Sequence, residues 1–401
     1  MKLLQLNVTV NWGSTGKIAE GIGLCAMERG WDSAIAYGRM MNPSKSRLIK
    51  VGTRADVYAH YTRCRIFDGE GLGSRSATRR LIKQIETYAP DIIHLHNIHD
   101  HWLNYPVLLD FLKSSNSRVV WTFHDCWPFT GGCCYFVHLP CNNWRNNCSE
   151  CSVRRSVWHN QVANFKLKTK LVKELGVNLT IVSVSHWLDS LVAETPFSEM
   201  DHRVIYNGVD TSIFSPQNTD YVDQKYSLGN KHVLLGVSSV WAEHKGLKDY
   251  IALRRQLPED FVIILVGLTE SQIKLLPTGI IGIPRTNSME ELAALYSRAD
   301  AVLSLSKAET FGLTLVEGRA CGTPSIGYAN TAIKELLTPD VGIAVPTGNI
   351  DGLVKAAIDI AEGNVKFDPI HCRETVKEHF DQHRQYNKYI DLYESILSGN
   401  K

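Results

Sequence analysis

The chain has 401 residues, 44% apolar and 21% charged, and at ~100–200 residues per domain this length predicts two domains. Its 43 basic and 41 acidic side chains lack the excess of a dedicated nucleic-acid binder, and its apolar content is too high for a disordered chain. The longest apolar run, Phe261 to Gly267, falls far short of the ~18–20 residues that span a bilayer as a helix.

LLQLNV, from Leu3, is the first predicted strand. The apolar start is too short for a signal segment and runs into a glycine turn, so a cytoplasmic protein is expected. SAIAYG, DIIHLH, RVVWTF and LTIVSVS follow, each separated by a stretch of helical length, the spacing of parallel strands joined by crossover helices. IYNGVDTSIFSP ends in Pro216, and the alternation then restarts with HVLLGVSS, FVIILVG, GIIGI, DAVLSLS and TPSIGY. Tyr386, Tyr389, Ile390, Tyr393 and Leu397 form a helical stripe with no strand after it. The expected organisation is α/β: a doubly wound domain over 1–205, a second over 206–379 and a closing helix over 380–401. Strand C-termini in two such domains turn toward a shared cleft, the usual ligand position.

Charge is unevenly spread, with 23 basic and 16 acidic residues in 1–200 against 20 and 25 in 201–401. Arg63, Arg65, Arg75, Arg79, Arg80 and Lys83, then Arg154, Arg155, Lys166, Lys168, Lys170 and Lys173, fit either solvated helix faces or contact with an anionic surface or phosphate-bearing acceptor.

Asn11-Trp12-Gly13-Ser14-Thr15-Gly16-Lys17-Ile18 is a glycine turn opening a helix, where amides can approach phosphate. It fails as a P-loop, which needs Gly at Asn11 and Ser or Thr at Ile18, and no dinucleotide G-x-G-x-x-G is present. Glu309-Thr-Phe-Gly-Leu-Thr-Leu-Val-Glu317 carries a stronger signal. A helix is expected from Phe311, with the Gly312 and Leu313 amides aimed at a diphosphate and Glu309 and Glu317 near one face to read clusters of hydroxyls. Lys245 follows a strand and can offset charge on a leaving diphosphate, although taken singly a lysine is more often plain surface.

His94, His96, His99, His101 and His124 cluster with Asp100 and Asp125 at two strand ends. Hydrogen-bonding histidines lining a polar cleft explain them better than a metal, and no G-x-S-x-G supports a serine triad. Cys126, Cys133, Cys134, Cys141, Cys148 and Cys151 crowd one loop, 126–151, where a structural zinc on Cys133, Cys141, Cys148 and Cys151 competes with buried free thiols.

Together these strings resemble glycosyltransferase family 4, retaining nucleotide-sugar enzymes of the GT-B fold, and Glu309-x7-Glu317 with Phe311-Gly312-Leu313 and Gly322-x-Pro324 is the most specific part. HDCWPFTGGC, SVSHWL and IYNGVDTSIFSP are similar to bacterial exopolysaccharide enzymes of the colanic-acid type. The resemblance implies that Glu309 meets donor-sugar hydroxyls, Glu317 the ribose, and Gly312 and Leu313 the diphosphate, with Gly13 and Gly16 approaching from the other domain. It further implies Lys245 on the leaving diphosphate, His124 on the sugar or incoming hydroxyl, and Arg285 near the nucleotide. No catalytic metal is implied; the substrates are a UDP- or GDP-sugar and a glycan or lipid-linked acceptor, with peripheral contact at the inner membrane through the basic N-terminal domain. Two departures stand out: Val240 occupies a position where the family usually has Arg, and Asn330-Thr331-Ala332 replaces a Gly-Gly pair before Glu335. A sugar-nucleotide 2-epimerase of the same architecture, or a binding protein without chemistry, are the alternatives.

Overall fold

The computed structural model describes residues 1–139, 141–151, 153 and 156–399. Arg154 and Arg155, expected in a basic cluster, lie outside them. The chain divides into two units, Met1–Tyr206 with His383–Lys401, and Asn207–Gln382.

The first unit is built on seven strands: β1 (Lys2–Asn7), β2 (Asp32–Tyr37), β3 (Arg47–Lys50), β4 (Ile92–Leu95), β5 (Arg118–Phe123), β6 (Leu179–Ser183) and β7 (Asp201–Val204). All pair in parallel in the order β3-β2-β1-β4-β5-β6-β7. The inner strands are almost wholly buried because helices cover both faces, which is why they read as apolar runs. Edge strands β3 and β7 are half exposed and polar, so neither has such a run.

The last helix, Gln382–Ser398, belongs to this unit. Tyr386, Tyr389, Ile390 and Tyr393 pack with Leu3, Ile18, Ile22, Trp31, Ile92 and Val120, so the closing helix crosses back to the N-terminal half. Leu397 drops out of the expected stripe: it is 37% exposed, and the buried face ends near Tyr393.

Six strands form the second unit: β8 (His232–Val237), β9 (Phe261–Val266), β10 (Ile280–Ile283), β11 (Ala301–Ser304), β12 (Ser325–Tyr328) and β13 (Gly342–Val345). Their parallel order is β10-β9-β8-β11-β12-β13. Leu234, Ile263, Leu265, Leu303 and Ile326 form its core with Tyr250 and Leu253 of the helix Leu247–Gln256. Among the described residues no helix is long and apolar enough to cross a membrane.

Candidate functional site

Strand order in the second unit reverses between β8 and β11, and ligands bind such sheets outside the carboxyl ends at that point. The loop after β8 is anchored by buried Trp241, whose Nε1 donates to the Val266 carbonyl at 2.9 Å, and it ends in the short turn Glu243–Lys245. The loop after β11 carries Glu309. Lys245 Nζ stands 2.5 Å from Glu309 Oε2, with side chains 21% and 18% exposed. Gly246 makes this approach possible: its φ is +77°, and a Cβ there would lie 2.2 Å from the Leu305 carbonyl. The Lys307 amide also donates to the His244 carbonyl at 2.7 Å, tying the two loops together.

Glu309 is held through its own backbone. Its amide donates to Thr331 Oγ1 at 3.3 Å, and its carbonyl accepts from the Ala332 amide at 3.3 Å. Thr331 has φ +45°, the left-handed conformation that glycine adopts without strain. Sequence reasoning named Thr331 only as a departure; no periodicity marks a residue that acts through its turn.

The helix near Glu309 is shorter than expected, Leu313–Ala320, and begins after Gly312 at φ +101°. Glu309 therefore lies in the preceding loop, not on the face it was expected to share with Glu317. The Phe311 ring is buried against Phe380, with centroids 5.9 Å apart. Glu317 accepts from Tyr296 Oη at 2.7 Å. Burial, with Glu317 beside it, holds that phenol well above its usual range, so Tyr296 remains a donor. Arg285 is exposed after β10, which β9 separates from β8. Val240 is 67% exposed in the loop after β8.

In the first unit the order reverses between β1 and β4. The loop after β1 enters the helix Gly13–Glu28, whose first residue, Gly13, is exposed with open space around it. Gly16 is buried, and a Cβ there would stand 2.8 Å from Thr9 Oγ1, so its backbone packs the loop. His124 directly follows β5 and is 8% exposed; burial lowers it to about 4, so it is neutral near pH 7. His94 and His96 do not line a cleft as expected: both are fully buried, with rings 3.9 Å apart. Burial alone would lower His99, but Asp125 at 3.0 Å outweighs it and raises the imidazole. Glu70, which the sequence did not mark, organises the adjoining loop. Its Oε1 accepts the Asp100 and His101 amides at 2.7 and 3.1 Å, and Oε2 lies 2.7 Å from His101 Nδ1.

Three groups of the described residues gather possible ligand atoms within 4.8 Å: Cys25 with Glu28 and His383, His60 with Glu70 and His101, and His99 with Asp125 and Cys134. In the second, His60 accepts from the Gly73 amide at Nε2 and meets Ser74 Oγ at Nδ1, so both nitrogens are engaged. The third is a His–Asp ion pair. The quartet Cys133, Cys141, Cys148 and Cys151 is not among these groups. Its loop is better packed than expected: Phe129, Phe136 and Trp144 form a buried aromatic cluster. Lys168, expected on a basic surface, is buried instead, donating to the Trp127 and Thr130 carbonyls at 2.5 and 3.0 Å.

Residues 26–213 match the family described as Glycosyltransferase Family 4, and residues 220–377 the family described as Glycosyl transferases group 1. The chain is 21% identical to WcaC of Escherichia coli (strain K12), a protein named for glycosyl transfer in colanic acid biosynthesis, over 99% of this chain and 100% of WcaC. Sucrose-phosphate synthase from Thermosynechococcus elongatus superposes with a TM-score of 0.74 at 16% identity, covering 99% of each chain. Anabaena HepE, solved with UDP, gives 0.69 at 15%, covering 98% of this chain and 100% of that one. Those two likenesses establish the fold, and the two domain matches establish the kinship of each half: the chain carries a Glycosyltransferase Family 4 domain followed by a Glycosyl transferases group 1 domain.

Proposed function

We propose that the protein is a retaining glycosyltransferase that moves a hexose from a UDP- or GDP-sugar to a glycan or lipid-linked acceptor in polysaccharide biosynthesis. The observation that carries this reading is the convergence of Lys245, Glu309 and the Gly312 helix start at the reversal point of the second sheet. The amides at Gly312 and Leu313 favour an anion, and Lys245 offsets the charge that develops on the departing diphosphate. Glu309 accepts from sugar hydroxyls and Glu317, steadied by Tyr296, from the ribose. In the first unit, the Gly13 helix start and His124 meet the substrate hydroxyls and charge. Retention places the incoming hydroxyl on the leaving-group face, so no carboxylate nucleophile is required. WcaC by its name and HepE by its UDP complex support this substrate class. Exposed Arg63, Arg65, Arg79, Arg80, Lys166 and Lys170, with exposed Tyr58, Phe67 and Trp158, support a lipid-linked acceptor at an anionic membrane face.

Incubation with UDP-glucose, UDP-galactose and GDP-mannose, with and without an oligosaccharide or lipid-linked acceptor, tests the reading. Acceptor-dependent release of the nucleoside diphosphate and a product with the donor's anomeric configuration are expected. Conversion of a donor into its epimer without acceptor, or saturable binding without turnover, would overturn it.

A further inference from the structure

Three buried polar side chains form one hydrogen-bonded line in the first unit. Gln5 of β1 places Nε2 2.7 Å from the Ala19 carbonyl and Oε1 3.0 Å from His96 Nε2. His96 Nδ1 in turn lies 3.0 Å from His124 Nε2. Gln5 and His96 are at most 1% exposed.

A backbone carbonyl only accepts, so the Gln5 atom facing Ala19 is the NH2 group and the other is oxygen, also an acceptor. His96 Nε2 must then carry hydrogen and donate. A neutral His96 therefore offers a lone pair at Nδ1, and His124 must donate to it from Nε2. Neutrality follows from the surroundings: desolvation dominates at His94, His96 and His124, and the facing groups on the closing helix, Tyr389 and Tyr393, are neutral phenols. Asp125 is the carboxylate that acts on His124, and it is paired with His99 at 3.0 Å.

We propose that Gln5 and His96 are positioning residues that fix His124 as the Nε2–H tautomer, so that its accepting atom is Nδ1. This rests on the reading of His124 as a contact for a substrate hydroxyl: the hydroxyl then donates to the ring instead of accepting from it. The discriminating chemistry is thus a substrate hydroxyl with a proton to give.

Long-range 1H–15N correlation spectra of protein labelled with 15N-histidine report tautomers directly and need no substrate, so they are independent of whether the protein transfers sugar. His124 is assigned by the peaks lost in His124→Gln. The expected result at pH 7 is a protonated-type Nε2 and an unprotonated-type Nδ1 for both His96 and His124. Gln5→Leu, which leaves His96 Nε2 without an acceptor, should move the His124 pair of resonances toward averaged positions. Gln5→Glu, whose buried carboxyl can donate to Ala19 and accept from His96 when protonated, should restore them. An Nδ1–H tautomer or an imidazolium for His124 at pH 7 would overturn the proposal, as would an unchanged His124 pattern in folded Gln5→Leu.

Discussion

Lys245 and Glu309 show how two residues that are unremarkable alone become a site. Each is mostly covered, and each supplies the other's counter-charge at 2.5 Å. On the proposed function, a diphosphate sugar would draw the pair apart, the lysine toward phosphate and the carboxylate toward hydroxyls. Glu309→Gln and Lys245→Ala should each lower transfer by ~10²–10³ while the melting temperature stays within a few degrees, because one preorganised charge is lost from the cleft and no core packing changes. Near-normal kcat in either folded variant would remove the pair from the mechanism. Val240 offers a complementary gain. Its side chain is 67% exposed, so an arginine there displaces no packing. Val240→Arg should tighten UDP or GDP binding about three- to ten-fold by restoring one charge-assisted contact, as read by calorimetry. An unchanged Kd for both nucleotides would mean that this loop does not face the phosphates.

At the scale of elements, the closing helix and the cysteine-rich loop each need something from the rest of the first unit. Tyr389 and Tyr393 are buried against the sheet, and Tyr393 Oη also meets His94 Nδ1 at 2.6 Å. Replacing either tyrosine by alanine leaves a large cavity and should destabilise the first unit by ~3–5 kcal/mol, visible as faster hydrogen exchange in β1, β4 and β5. Exchange confined to the helix itself would show that it merely rests on the surface. The loop 126–151 has an aromatic cluster of its own, which supplies part of the ordering that a metal was expected to provide. Cys148 Sγ also accepts the Gly131 amide at 3.1 Å. Because Cys133, Cys141, Cys148 and Cys151 do not gather as a ligand group, we expect packing to hold the loop, and Cys148→Ser should leave transfer near normal at low temperature. Less than about 0.2 equivalents of zinc in protein purified without added metal, with all four thiols reactive, would mean that packing alone holds the loop.

The whole molecule carries an acid sensitivity in its first sheet. His94, His96 and His124 are lowered by burial, His124 to about 4, whereas the unfolded chain binds their protons near pH 6.5. Because their folded values lie below the unfolded one, this stability is fully present above about pH 6.5 and is lost as pH falls toward 4. Each histidine contributes a slope of ~1.4 kcal/mol per pH unit in that window. His99, raised above 6.5 by Asp125, acts oppositely: it stabilises below its unfolded value and loses that effect as pH rises through its folded value. Urea unfolding at pH 7, 6 and 5 should show a steep fall below 6.5, and a flat profile would contradict the buried neutral histidines.

The architecture was legible in the residues because parallel strands covered on both faces must be apolar throughout, and LLQLNV, FVIILVG and DAVLSLS announce themselves by that run. The glycine-bearing string at Glu309 was legible because a backbone turning into a helix beside a ligand needs special φ, and Gly312 supplies it. Edge strands β3 and β7 were not, since half-exposed polar segments have no distinctive period. Gln5 is the instructive residue: an amide inside an apolar run signals a buried partner, but only the pairing of β1 with β4 places His96 against it. Likewise the sequence could name Lys245 and Glu309 as separate candidates, 64 residues apart. Their contact was decided by tertiary structure, because β8 and β11 become neighbours only when the crossover helices close the sheet and Gly246 lets one loop lie on the other.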